Sequence, residues 1–197
     1  MAEINWKNAL YYSILPLTII AYYIAVLFGH INDNLFIYDG SGNIGIFIFL
    51  IPLFYFSIFR QPRLNRYAIV IATSISIIFI GKISMNIYIL SYHTFTYGQS
   101  GVLYALWGFI FINALNMLLN YKKEELKTIV AIIGLFVISA FPLIYPPFFF
   151  IIMSGVAYQV HVISYVLGII FGLFFQFAFF EDNIYLKIKA FFNRGVS

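Results

Sequence analysis

The chain has 197 residues, of which 63% are hydrophobic and 9% charged. No soluble domain of ordinary surface can be built from that balance, so the chain reads as an all-α polytopic membrane protein. It has no Cys, which excludes disulfides, a thiol nucleophile and Cys-based metal sites, and its net charge of +4 does not suggest a nucleic-acid partner.

The apolar runs are long enough to span a bilayer, which takes about 20 residues per helix. Span 1 is expected at about 9–29, after Lys7. It is too long for a cleavable leader and lacks a small-x-small site after it. A polar loop carrying Asp33 and Asp39 leads to span 2, about 43–59, which Pro52 interrupts. Arg60, Arg63 and Arg66 mark the next loop, and span 3 follows at about 67–86. An uncharged, Tyr-rich segment leads to Gly98, and span 4 covers about 100–120. Lys122, Lys123, Glu124, Glu125 and Lys127 surround the next turn. Span 5, about 128–145, stops at Pro146-Pro147. The apolar segment 148–154 reads as a hairpin cap before span 6, about 155–180, and a short basic tail. The expected organisation is one six-helix membrane domain over residues 1–197.

Six spans place both termini on one side. Ten of the eleven Lys and Arg residues fall there, and Lys82, near the far end of span 3, is the exception. By the positive-inside rule both termini are expected to be cytoplasmic, in a multi-pass protein of the cell membrane. Lys82 is expected to snorkel outward.

The stretch Gly98-Gln99-Ser100-Gly101 sets a hydroxyl between glycines at the start of span 4. Glycine permits a tight turn and close approach of a second chain. The helix start leaves backbone N–H groups without intrahelical partners, which can hold a developing oxyanion, with Gly98 and Gln99 as support. A Ser nucleophile needs a base, and the candidates are His30, His93 and His161. His30 and His93 belong to outer loops. Ser100 lies 20 residues from the inner boundary of its span (120 − 100), and His161 lies 20 from its own (181 − 161). Both are then about 30 Å from the inner side and share a depth. Gly101, Ala105 and Gly108 form a small-residue stripe on span 4, and His161, Ser164, Gly168 and Gly172 recur on one face of span 6. Such stripes let membrane helices touch. Taken singly, the Ser is a cap or helix glue, the His a partner for some neighbour, and the glycines ordinary packing. Their coincidence is what points to a Ser/His pair. The Gly-x-Ser-x-Gly elbow of α/β-hydrolases does not fit, because position 102 is Val and no strand precedes it.

These residues resemble the rhomboid intramembrane serine proteases. The run Gly98-Gln99-Ser100-Gly101-Val102-Leu103-Tyr104-Ala105-Leu106-Trp107-Gly108 is similar to that family's Gly-x-Ser-Gly helix start, and His161 with Gly168 is similar to its last core helix. The resemblance implies a six-helix rhomboid-like bundle. Ser100 would be its nucleophile, His161 its general base, and Tyr104 a ring stacked on the imidazole. It also implies an endopeptidase that needs no cofactor or metal and cuts transmembrane protein substrates within the lipid bilayer. Span 5 and the 148–154 segment would gate and cap the site. Two features depart from the pattern: span 2 has no His-x-x-x-Asn, and the first outer loop has no Trp-Arg pair. His30 and Asn34 have the right spacing but precede the span. The alternative is therefore an inactive rhomboid-like protein that binds membrane clients without cutting them. A transporter or channel would want charged or broken helices near the midplane, which the spans hardly offer.

A missing oxyanion donor needs a substitute. Asn43 lies 17 residues before Arg60 (60 − 43), about 25 Å above the inner boundary, and its amide can donate two hydrogen bonds. It also suits a plain helix cap. Asn86, at the outer end of span 3, is the rival donor.

Overall fold

A computed structural model describes residues 6–27, 41–58, 66–93, 100–120, 125–146 and 158–179, with the side chains of some helical residues, Asn43 among them, outside the description. Among the described residues there are six helices: α1 (Trp6–Leu27), α2 (Ser41–Ile58), α3 (Arg66–Tyr92), α4 (Ser100–Leu119), α5 (Leu126–Ile144) and α6 (Tyr158–Phe179). No strand occurs among the described residues. Each helix occupies one of the apolar runs, as expected where lipid offers the backbone no hydrogen-bonding partner but itself. Four helical stretches are long and apolar enough to cross a membrane: Tyr67–Tyr92, Ser100–Leu119, Leu126–Ile144 and Tyr158–Phe179. The described apolar stretches of α1 and α2, Leu10–Ala21 and Ile46–Ile58, are shorter. The protein is a helical, membrane-embedded bundle. Its outer surface is correspondingly apolar, with Leu10, Phe79, Leu90, Val130 and Phe174 all exposed.

The third helix runs further than the sequence suggests. An end at Asn86 is too early, because α3 continues to Tyr92. Ile87, Ile89 and Leu90 carry the apolar run on, and the rings of Tyr88 and Tyr92, one turn apart, stack at 4.9 Å. His93 closes the helix in a left-handed conformation (φ 53°), with its N–H on Ile89 O at 2.9 Å.

The centre of the bundle is α4. Every residue from Ser100 to Ile110 is buried, and α4 packs on α2, α3, α5 and most extensively α6. A second close approach joins α3 to α4, where a Cβ on Gly81 would lie 2.9 Å from the Val102 backbone nitrogen. At the periphery α1 is pinned by Tyr55 of α2. Its hydroxyl donates to Tyr11 O (3.0 Å) and accepts from the Leu15 N–H (3.1 Å). Those two groups would otherwise bond each other within α1, so Tyr55 is inserted into the helix ladder just before Pro16. Several buried hydroxyls are satisfied within their own helices. Ser57, Thr73, Ser74 and Ser84 each donate to a carbonyl three or four residues back.

Candidate active site

Ser100 is the first residue of α4, and His161 is the fourth of α6. Both side chains are buried, and His161 Nε2 lies 2.9 Å from Ser100 Oγ. Two residues 61 positions apart are thus in hydrogen-bond contact. With Nδ1 carrying the ring proton, Nε2 presents its lone pair to the hydroxyl, the arrangement a general base requires.

The seam that brings them together is built from small residues. A Cβ on Gly168 would strike the backbone of Ala105, and one on Gly108 would strike the backbone of Tyr165. Gly172 faces the Ile112 side chain in the same way. The contacts advance together along the two helices: Ser100 with His161, Gly101 with Ser164, Ala105 with Gly168, and Ile112 with Gly172 and Gln176. So α4 and α6 run parallel, backbone against backbone, from the dyad inward. Ser100 and His161 therefore stand at the same level of the helix pair. Ser164 is not a rival to Ser100. Its Oγ is fully buried against Gly101, at 3.1 Å from where a Cβ would stand, and it has no hydrogen-bond partner among the described residues.

The imidazole is held by stacked rings. Tyr104, one turn below Ser100, lies over His161 at 4.4 Å with 19° between planes. Trp107 stacks on Tyr104 in turn, at 6.4 Å and 20°. The Trp107 indole N–H then donates to Ile138 O of α5 at 3.2 Å. Pro142 explains why that carbonyl is open. It has no N–H, so Ile138 O lacks its usual partner four residues on. Tyr165 of α6 donates to the next carbonyl, Ser139 O, at 2.8 Å. The chemistry of the dyad was legible in the residue types, and so was the Tyr104 stack through the family resemblance. The Trp107 and Tyr165 bonds were not. A proline inside an apolar run signals a freed carbonyl, and Pro142 was the clue.

Compared with known protein families, with curated proteins and with solved structures, the chain matches none. The site therefore rests on its own geometry. Gly98, Gln99, His30, Asn34 and the 148–154 segment lie outside the described residues. Asn43 falls in the first turn of α2, which begins at Ser41, and its side chain is outside the description. Asn86 is exposed on α3, on the same outward side as Ile83 and Ile87, and does not point into the bundle. Among the described residues no cluster of His, Cys, Asp or Glu could hold a metal ion. The groups available to an anionic intermediate are the N–H donors at the start of α4, which have no intrahelical partner.

Proposed function

We propose that the protein is a six-span, rhomboid-like intramembrane serine endopeptidase with both termini in the cytoplasm. The observation that carries this reading is the buried 2.9 Å contact between Ser100 Oγ and His161 Nε2 at the start of α4. The His161 imidazole takes the hydroxyl proton as Ser100 attacks the scissile carbonyl, and returns it to the leaving amine. The carbonyl oxygen becomes an oxyanion beside the free N–H groups that open α4. Water then releases the acyl group by the same route in reverse. Substrates are transmembrane segments that reach the site from the bilayer. The departure at span 2 favours the alternative, a rhomboid-like protein that binds membrane segments without cutting them.

The test is reaction of the purified protein with a fluorophosphonate, which captures a Ser made nucleophilic by a neighbouring base. Wild type should be labelled at Ser100. Ser100→Ala and His161→Ala should lose both labelling and cleavage of a reporter membrane protein, and the double variant should be no worse than either single one. Full cleavage by either single variant removes the dyad. A folded wild-type protein that never labels leaves the binding reading.

A further inference from the structure

The same two helices carry a second polar cluster far from the dyad. Asn113 lies thirteen residues after Ser100 (113 − 100), and Gln176 fifteen after His161 (176 − 161), so both sit about 20 Å deeper in the bundle. Asn113 is 1% exposed and Gln176 is fully buried. Gln176 Nε2 donates to Ile112 O at 2.8 Å and to Asn113 Oδ1 at 3.1 Å. That leaves the amide nitrogen Asn113 Nδ2 and the amide oxygen Gln176 Oε1 buried without hydrogen-bond partners among the described residues. An orphaned buried polar group is costly, and two on adjacent side chains call for a third party.

Reassigning the amides does not remove the problem. Turning Asn113 alone sets two donors against each other. Turning Gln176, alone or with Asn113, brings its oxygen onto the Ile112 carbonyl, acceptor against acceptor at 2.8 Å. In each case a buried amide group stays unpaired. The missing partner must accept from Asn113 Nδ2 and donate to Gln176 Oε1, and it must be small enough for a helix seam closed by Gly172 against Ile112. Water meets all three requirements.

A polar track leads to the place. Asn113, Asn116 and Asn120 recur at helical spacing on one face of α4. Asn116 is buried, and Asn120 is half-buried at the helix end. Asn120 Nδ2 bonds both Asn116 O (2.8 Å) and Asn116 Oδ1 (3.1 Å). Carboxamides thus continue from the end of α4 to the orphaned pair, about 10 Å along the helix.

We infer that Asn113 and Gln176 form a binding site for a single buried water, which accepts from Asn113 Nδ2 and donates to Gln176 Oε1, and which enters from the Asn120 end of α4. The water completes an amide clamp that joins the inner halves of α4 and α6, independently of the dyad. The test is magnetisation transfer between water and the side-chain amides in isotope-labelled protein in detergent micelles. Asn113 and Gln176 should both show transfer from water, while the Trp107 indole N–H, bonded to Ile138 O, should show none. Asn113→Leu removes one leg of the bridge, and transfer to Gln176 should disappear. Gln176→Met should lower the melting temperature by about 5 °C while Ser100 labelling per folded molecule is unchanged. No transfer to either amide in wild type overturns the inference, and that measurement stands even if the variants do not fold. Transfer from detergent or lipid head-group protons instead overturns it in favour of an amphiphile. Transfer to Gln176 that survives Asn113→Leu shows that the two do not share a water and overturns it as well.

Discussion

Two helices flank the start of α4, and they are attached to it by opposite means. α6 meets it backbone to backbone, through Gly168 on Ala105 and Gly108 on Tyr165. α5 meets it through side chains: the rings of Phe111 and Phe136 stack, and the Trp107 indole N–H donates to Ile138 O, while Tyr165 of α6 donates to the next carbonyl, Ser139 O. A backbone contact has no alternative rotamer, so the α4–α6 distance is fixed, and with it the Ser100–His161 separation. A side-chain bond can open and be replaced by water or by a substrate's own groups. Under the proposed protease reading, the difference would keep the Ser100–His161 side rigid and leave the α5 side able to admit a membrane segment. The two halves are joined by the stack of His161, Tyr104 and Trp107, which ends on Ile138 O.

The rigid half is the easier to break. Gly168→Val puts branched carbon where the Ala105 backbone already stands, and nothing flexible can give way. Overpacking of this kind typically costs about 1–3 kcal/mol or more, and a backbone-to-backbone contact belongs at the upper end. The expected outcome is failure to recover folded protein, or a large loss in melting temperature, with fluorophosphonate labelling lost as well. Gly134 provides the control, because a side chain there would meet no atom within 4 Å. Gly134→Ala should leave folding and labelling intact.

The next effect separates orientation from folding. Tyr104 is 1% exposed, and its ring, not its hydroxyl, faces the imidazole. Tyr104→Phe keeps the stack and should keep most of the turnover. Tyr104→Leu removes it and frees the ring of His161 to rotate. A misplacement of that order lowers turnover by up to about 10²-fold. Substrate cleavage at saturation, normalised to folded protein, reads the difference. Equal loss in both variants would assign the role to the hydroxyl instead.

How much of this was readable beforehand follows from the kinds of interaction involved. Long apolar runs announce helices because lipid leaves the backbone no other choice. The bounds expected for α1, α2, α4, α5 and α6 fall within about three residues of those observed. The end of α3 was misjudged because Tyr and Ser suit both an interfacial loop and a helix end. Ser100 and His161 could be paired because depth is one coordinate and helical spacing supplies the facing stripe. The Asn113–Gln176 pair could not, since carboxamides mark no depth and their bonds depend on side-chain geometry. Gly81 went unread because it is the single glycine of α3, with no second one to mark a face.

Trp107→Phe is the sharper probe of the α5 side. It keeps an aromatic ring beside Tyr104 but removes the only side-chain donor that Ile138 O has among the described bonds. Pro142 cannot supply an N–H, so the carbonyl is left unpaired, at a cost of about 1–3 kcal/mol. The expected result is a fall in melting temperature together with faster entry of bulky membrane substrates. Adding Pro142→Ala restores an N–H four residues after Ile138. The double variant should recover most of the lost stability, an outcome that simple loss of packing at Trp107 does not predict. No recovery would detach the indole bond from the proline.

Tyr165→Phe should have the smallest effect, although its hydrogen bond is the shorter one, 2.8 Å against 3.2 Å. Length does not decide the matter here; what remains after the deletion does. Ser139 O has Leu143 four residues on, whose N–H keeps the helical partner available, whereas Pro142 deprives Ile138 O of one. Removing the Tyr165 hydroxyl therefore leaves no orphaned acceptor, and the cost is that of one membrane hydrogen bond, about 0.6 kcal/mol. Melting in detergent should place the three proteins in the order wild type, Tyr165→Phe, Trp107→Phe. A reversed order would mean that α5 is held through α6 rather than through the carbonyl that Pro142 opens. Since α5 would then follow the rigid helix, the contrast between the two flanks of α4 would disappear with it.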